Sequence, residues 1–274
     1  MEALTQIDGW ETDNAAAAVV TPDGLLAWHG DESNEYRWAS ITKLVTSLAM
    51  LVAVEEGVVD LDEDAGPPGS TVRHLLAHAS GLPFDGTAPI STPGERRVYS
   101  NTGFGLAGQH LEQRAEMGFD EYVTQAVLEP LELQCEFRPT SYPAADGLYG
   151  TLLDLVDLAV EFMKPTLVAQ ETFDEATDVV FPGLVGVLPD FGRMEPNDWG
   201  LGFEIRNGKS PHWTGTRNSP RTFGHFGGSG TFIWVDPEVE AALCVLTDRP
   251  FDEWKDEAKV VWPRLSDAVL AELR

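Results

Sequence analysis

A single lysine constrains this chain more than any other residue. Lys43 is the only lysine among the first 163 residues, and it heads Leu44 to Val54, the longest apolar run in the sequence. That run is broken only by Thr46 and Ser47, and the surrounding periodicity predicts a helix over 41–56 that stops at Gly57. Such a helix is too short to span a bilayer. An ammonium among Leu44, Val45, Leu48 and Leu51 is unfavourable unless it is paired or gives up its proton. Ser40 lies three residues earlier, where a helical path brings its hydroxyl to the amine. A lysine held neutral in this way can act as a base towards that hydroxyl. The plainer reading is a first-turn lysine facing solvent.

Two other segments carry chemistry. Tyr99-Ser100-Asn101 offers a phenol, whose ionised form adjacent cations can favour, and an amide that can both donate and accept. Taken alone, Tyr99 reads equally as a core aromatic with a satisfied hydroxyl. Gly224-His225-Phe226-Gly227-Gly228-Ser229-Gly230 lies between two strand patterns. Glycines there signal close approach by a ligand or another backbone, and exposed N–H groups could stabilise an oxyanion. A glycine-rich turn with an incidental histidine is the alternative. No Gly-Lys-Ser/Thr follows and the surrounding charge is wrong for phosphate, so a phosphate loop is disfavoured.

Charge narrows the partners. The formal net charge of −27 repels nucleic acid and anionic membranes, so neither is expected as a partner. The first ten residues contain neither a basic region nor an apolar stretch, and Cys135 and Cys244 are isolated. These features lead us to expect a cytoplasmic protein without an export signal, a disulfide framework or a cysteine metal knuckle.

Along the chain, Ala15 to Val20 and Leu25 to His29 flank Thr-Pro-Asp-Gly, a hairpin signal. Helical patterns follow at 71–78, 104–114, 119–128 and 152–163. Four strands are predicted at 199–205, 222–225, 231–235 and 241–247, then an amphipathic helix carrying Trp254, Ala258, Val261, Leu265, Ala268 and Leu273. The pattern predicts an α+β fold, an antiparallel sheet flanked by terminal helices. Its sheet part would be discontinuous (1–38 and 198–274) and would enclose a mainly helical subdomain (39–197). A cleft between the two is the expected place for a ligand.

Together, Ser40-Ile41-Thr42-Lys43, Tyr99-Ser100-Asn101 and the His225 segment resemble the serine β-lactamase and penicillin-binding protein superfamily. The Tyr-Ser-Asn form is that of its class C β-lactamase-like branch, which also holds D,D-peptidases, D-aminopeptidases and esterases. Leu75 to Pro83, Pro93-Gly94, Glu129-Pro130-Leu131, Gly147 to Leu155, Trp199-Gly200-Leu201-Gly202 and Asp236-Pro237 extend the resemblance over nearly the whole chain. It implies a β-lactamase/transpeptidase-like fold and a serine hydrolase without a cofactor, acting on a small-molecule substrate through an acyl-enzyme on Ser40. It also implies Lys43 as partner of the nucleophile, and Tyr99 as general base in acylation and acid for the leaving group. Asn101 would position the acyl group, with the Ser40 and Gly228 N–H groups as oxyanion hole beside Gly227. His225 stands where β-lactamases usually carry lysine, which favours small esters, amides or D-amino-acid peptides over β-lactams.

Three other readings compete. A metal hydrolase would use His74 and His78, four apart on a helix, but lacks the glutamate of His-Glu-x-x-His. An α/β-hydrolase is disfavoured because no Gly-x-Ser-x-Gly occurs. A receptor of the same fold would be acylated without turnover.

Overall fold

Apolar runs from opposite ends of the chain become neighbours in one sheet. The computed structural model describes residues 1–273; Arg274, the end of the 198–274 segment, lies outside the described residues. A 3₁₀ helix (Glu2–Gly9) leads into the hairpin β1 (Ala15–Thr21) and β2 (Gly24–Gly30). Then come β3 (Tyr36–Arg37), α1 (Thr42–Glu55), α2 (Val72–Leu76), α3 (Asn101–Ala115) and α4 (Phe119–Val123). β4 (Glu136–Phe137), α5 (Pro143–Asp146), β5 (Leu148–Gly150), α6 (Leu152–Met163) and α7 (Gln170–Thr177) follow. The chain continues through β6 (Gly186–Leu188), β7 (Gly192–Met194), β8 (Glu204–Ile205) and β9 (Phe223–Gly227). β10 (Thr231–Asp236), β11 (Ala241–Thr247) and α8 (Phe251–Leu273) complete it.

The main sheet is antiparallel, in the order β2-β1-β11-β10-β9-β8. Its inner strands read as unbroken apolar runs because both faces are covered, so alternation of polar and apolar residues has no role there. Ala16, Ala18, Ile233 and Cys244 pack with the core of α1 and α6. Ala17, Val19, Phe232, Trp234 and Leu243 face Trp254, Trp262 and Leu265 of α8. Trp234 Nε1 donates to Ser266 Oγ at 3.0 Å, fixing α8 to the sheet. No described helix is long and apolar enough to cross a membrane.

Several elements differ from the sequence expectation for local reasons. The strand expected over 199–205 is reduced to β8. A Cβ on Gly202, at φ +86°, would lie 1.8 Å from Ser47 Oγ of α1, and one on Gly200 would lie 2.0 Å from the Ala176 carbonyl oxygen. This segment therefore bends and presses against helices instead of extending. α2 stops at Leu76 and His78 takes φ 53°, so His74 and His78 do not share a helical face. The 119–128 helix widens into a π turn over Thr124–Leu128. Short strands also occur in the stretch expected to be mainly helical: β3-β5-β4 form one small sheet and β6-β7 another. The 3₁₀ helix at the N-terminus and α7 were not foreseen.

Ser40 lies in a 3₁₀ turn (Ala39–Ile41) just before α1. Hydrogen bonds hold this turn on the sheet: Thr231 Oγ1 donates to the Trp38 carbonyl (3.2 Å), and Ser229 Oγ to the Arg37 carbonyl (2.6 Å). Trp38 N–H donates to the Leu148 carbonyl of β5 at 3.0 Å. Contact this close requires a glycine on β9, since a Cβ at Gly227 would lie 2.5 Å from the Trp38 carbonyl oxygen and 2.5 Å from Thr231 Oγ1. Gly227→Ala is expected to cost about 1–3 kcal/mol, as overpacking does. Urea denaturation checks this, and an unchanged midpoint would show that the turn has room to spare.

Candidate active site

The Lys43 side chain is fully buried and ends on three oxygens. Its Nζ lies 2.7 Å from Asn101 Oδ1, 3.0 Å from the Ala145 carbonyl and 3.2 Å from Ser40 Oγ. Burial pushes the amine down to about 7, against an upward pull from Asp146. The first two partners can only accept, so a neutral amine spends its two N–H groups on them. Its lone pair then faces Ser40 Oγ. The nitrogen also stands 4.9 Å from the centre of the Tyr99 ring.

Tyr99 arrives from the loop before α3. Ser100 caps that helix, its Oγ accepting from Gly103 N–H at 2.9 Å and donating to the Pro83 carbonyl at 2.6 Å. Ser100 N–H donates to His78 Nδ1 at 3.1 Å, and the Phe84 carbonyl accepts from Asn101 N–H at 3.0 Å. The His78-to-Phe84 segment and the Tyr99-Ser100-Asn101 segment are thus locked together. Tyr99 then places its hydroxyl 2.9 Å from Ser40 Oγ and 3.4 Å from His225 Nε2.

The ionisation of this phenol differs from the sequence expectation. Burial pushes it up, and the hydrogen bond to Ser40 only partly opposes that. The neighbouring cation that was expected to ionise it is itself desolvated and half neutral near pH 7. Tyr99 therefore stays a protonated donor.

His225 belongs to β9, within the strand expected over 222–225. Its Nδ1 lies 2.6 Å from the Phe226 carbonyl, which only accepts, so Nδ1 carries the proton and Nε2 turns a lone pair towards Tyr99. Burial, reinforced by the charge on Lys43, pushes this imidazole down to about 3. It offers no cation to a substrate. Gly227 acts as a spacer for the Ser40 turn. The N–H groups of Ser40 and Gly228 have no protein acceptor among the described residues, and nothing stands within 4 Å of where a Gly228 Cβ would be.

Sequence reasoning missed four parts of the site. The Ala145 carbonyl is a backbone group with no side-chain signature. Trp199 forms a wall, its ring 4.7 Å from His78, 5.8 Å from Tyr99 and 5.5 Å from His225. Phe84 stacks against Tyr99 at 5.9 Å. Glu204 lines the cavity as well, but Lys209 Nζ (2.6 Å), His212 Nε2 (2.9 Å) and Trp213 Nε1 all donate to its carboxylate. Burial alone would raise that carboxyl, yet Lys209 and His212 hold it well below the usual range. Trp199 had a signal, since Trp199-Gly200-Leu201-Gly202 is part of the resemblance. Phe84 directly follows another such segment.

Comparison with known proteins identifies the fold and the family. A crystal structure of a β-lactamase from Mycobacterium bovis superposes with a TM-score of 0.95, is 52% identical and matches 99% of each chain. An octameric penicillin-binding protein homologue from Pyrococcus abyssi has the same fold (TM-score 0.73, 21% identity, 99% of this chain and 75% of that one). A putative D-alanyl-D-alanine carboxypeptidase of Salmonella paratyphi B is 24% identical over 78% of this chain and 69% of its own length. The β-lactamase family model matches residues 9–264, so the chain belongs to the β-lactamase family.

Proposed function

We propose that this β-lactamase-family hydrolase works through an acyl-enzyme on Ser40, on small esters, amides or D-amino-acid peptides, with β-lactams as secondary substrates. The observation that carries the reading is the arrangement of Lys43, whose two fixed acceptors leave one direction for its lone pair, towards Ser40 Oγ. In the proposed sequence, Ser40 Oγ attacks the carbonyl carbon and its proton passes to the neutral Lys43 amine. The N–H groups of Ser40 and Gly228 receive the developing oxyanion. The bond to the leaving atom then breaks as Tyr99 donates its proton, and the resulting phenolate takes back the proton held on the neighbouring Lys43 ammonium, Ser40 Oγ being esterified at that point. Water releases the acyl group by the reverse relay. Asn101 holds the amine and borders the acyl group.

Two features favour uncharged substrates. His225 is neutral where a cation would hold a carboxylate, and the net charge of −27 repels anions before they arrive. The carboxypeptidase name of the Salmonella relative keeps D-alanyl peptides among the candidates.

The direct test is turnover of short-chain esters, a chromogenic cephalosporin and D-alanyl peptides, with mass spectrometry locating any adduct. Wild-type protein is expected to turn over esters and to trap an acyl group on Ser40, and Ser40→Ala to do neither. Undiminished ester hydrolysis by Ser40→Ala overturns the assignment. One equivalent of acylation without turnover would instead make the protein a receptor.

The pH profile tests the base separately. The active amine is the deprotonated form, and its lowered pKa means that this form grows in as pH rises through about 7. For a neutral ester, kcat/KM should therefore rise about tenfold per pH unit below that point and level off above it. No fall is expected up to pH 9, because Tyr99 stays protonated there. A profile flat from pH 5 to 9 would remove Lys43 from the base role.

A further inference from the structure

Three of the eight large apolar side chains exposed among the described residues line one groove: Phe84 (56% exposed), Ile90 (55%) and Val187 (60%). Apolar surface gathered in this way marks a binding surface more than chance exposure does. The groove has a volume of about 620 Å³. It meets the Ser40 cavity, about 170 Å³, at Phe84, Tyr99 and Pro189, which line both. Charged residues lie among its lining (Glu95, Arg96, Arg97 and Arg193), but their polar groups are engaged with the protein. Arg193 is paired with Glu195, Arg96 donates to the Ile90 carbonyl at 2.9 Å, and the Arg97 guanidinium is spent on backbone carbonyls.

We propose that this groove seats an apolar leaving group, the alcohol half of an ester or the amine half of an amide, an inference that rests on Ser40 being the nucleophile. The direction follows from proton transfer. When the bond from the carbonyl carbon to the leaving oxygen or nitrogen breaks, that atom must lie within hydrogen-bond reach of the group that protonates it. Tyr99 is that group, and it forms part of the wall common to both cavities. Whatever is attached to the leaving atom thus passes Phe84 into the groove, while the acyl half stays on Ser40 beside Gly228. The preferred substrates are therefore esters or amides with a small acyl group and an extended apolar alcohol or amine.

Two ester series separate the halves. One varies the alcohol of acetate esters from ethanol to octanol, and the other varies the acid of ethyl esters from acetate to octanoate. kcat/KM covers the steps through alcohol release, so it registers binding of the leaving group. Full burial of a methylene corresponds to about fourfold, and a groove open on one side to about twofold. The alcohol series is expected to rise about twofold per methylene and the acyl series to stay nearly flat. Val187→Glu should flatten the alcohol series, lowering kcat/KM for octyl acetate several-fold more than for ethyl acetate. Ile90→Ser, at a second exposed position, should act in the same direction. A flat alcohol series, or an acyl series equally steep, overturns the proposal. Ser40→Ala assayed on the same esters keeps the two questions apart. Its inactivity alongside a flat alcohol series sinks only the groove, whereas its retained activity sinks the nucleophile as well.

Discussion

The rest of the structure depends on how the Lys43 amine is withheld from water. Among Leu44, Val45 and Leu48 there is no solvent to hydrate an ammonium, and a shift from 10.5 to about 7 corresponds to on the order of 5 kcal/mol of preference for the neutral amine. The two acceptors come from elements far apart in the chain, Asn101 at the start of α3 and Ala145 in α5. Both must stand within hydrogen-bond distance of a group whose own position is set by α1. One buried nitrogen thus ties three helices together. It also limits what can be changed, because losing either acceptor would leave the amine differently aimed as well as less well held.

The same low-polarity surroundings decide the other ionisations. In water, a lysine beside a phenol and an imidazole would be charged and would share its influence with both. Here burial acts on all of them in the direction of neutrality: Lys43 and His225 are pushed down and Tyr99 up. A hydrogen-bonded path then runs from the Tyr99 hydroxyl to Ser40 Oγ and on to Lys43, with His225 Nε2 3.4 Å from the same hydroxyl. The strong charges nearby are sealed from it. Glu204 spends its carboxylate on Lys209, His212 and Trp213, and Arg97 donates to carbonyls of Asn197, Ala77 and Val180. In a chain of net charge −27, the site itself carries little charge.

What could be read from the sequence follows from the range of the interactions involved. Ser40 and Lys43 lie within one turn of each other, so their meeting was legible from spacing and from the oddity of a lysine in an apolar run. The strand Ala241–Thr247 and the β1-β2 hairpin were equally legible, being set by local pattern and a turn. The reduced strand at 199–205 was not, because Gly200 and Gly202 serve contacts with Ala176 and Ser47, which no local pattern reveals. The Ala145 carbonyl was invisible for a related reason, since every residue has one. The state of Tyr99 was misjudged because sequence shows which groups are neighbours but not how far both are removed from water.

Alignment of the Ser40 hydroxyl is set twice, by independent contacts. Towards the sheet, Thr231, Ser229 and the absent side chain of Gly227 determine how close the Ser40 turn comes to β9, and hence where Ser40 Oγ stands relative to the Gly228 N–H. Towards the helices, Asn101 and Ala145 determine where the Lys43 lone pair points. Ala39, at φ 48° between these two sets, is in the left-handed region that an alanine uncommonly adopts. The turn satisfies both demands at once. A hydroxyl held by only one of these sets could meet the amine or the sheet, but its position against the other would then not be fixed by packing.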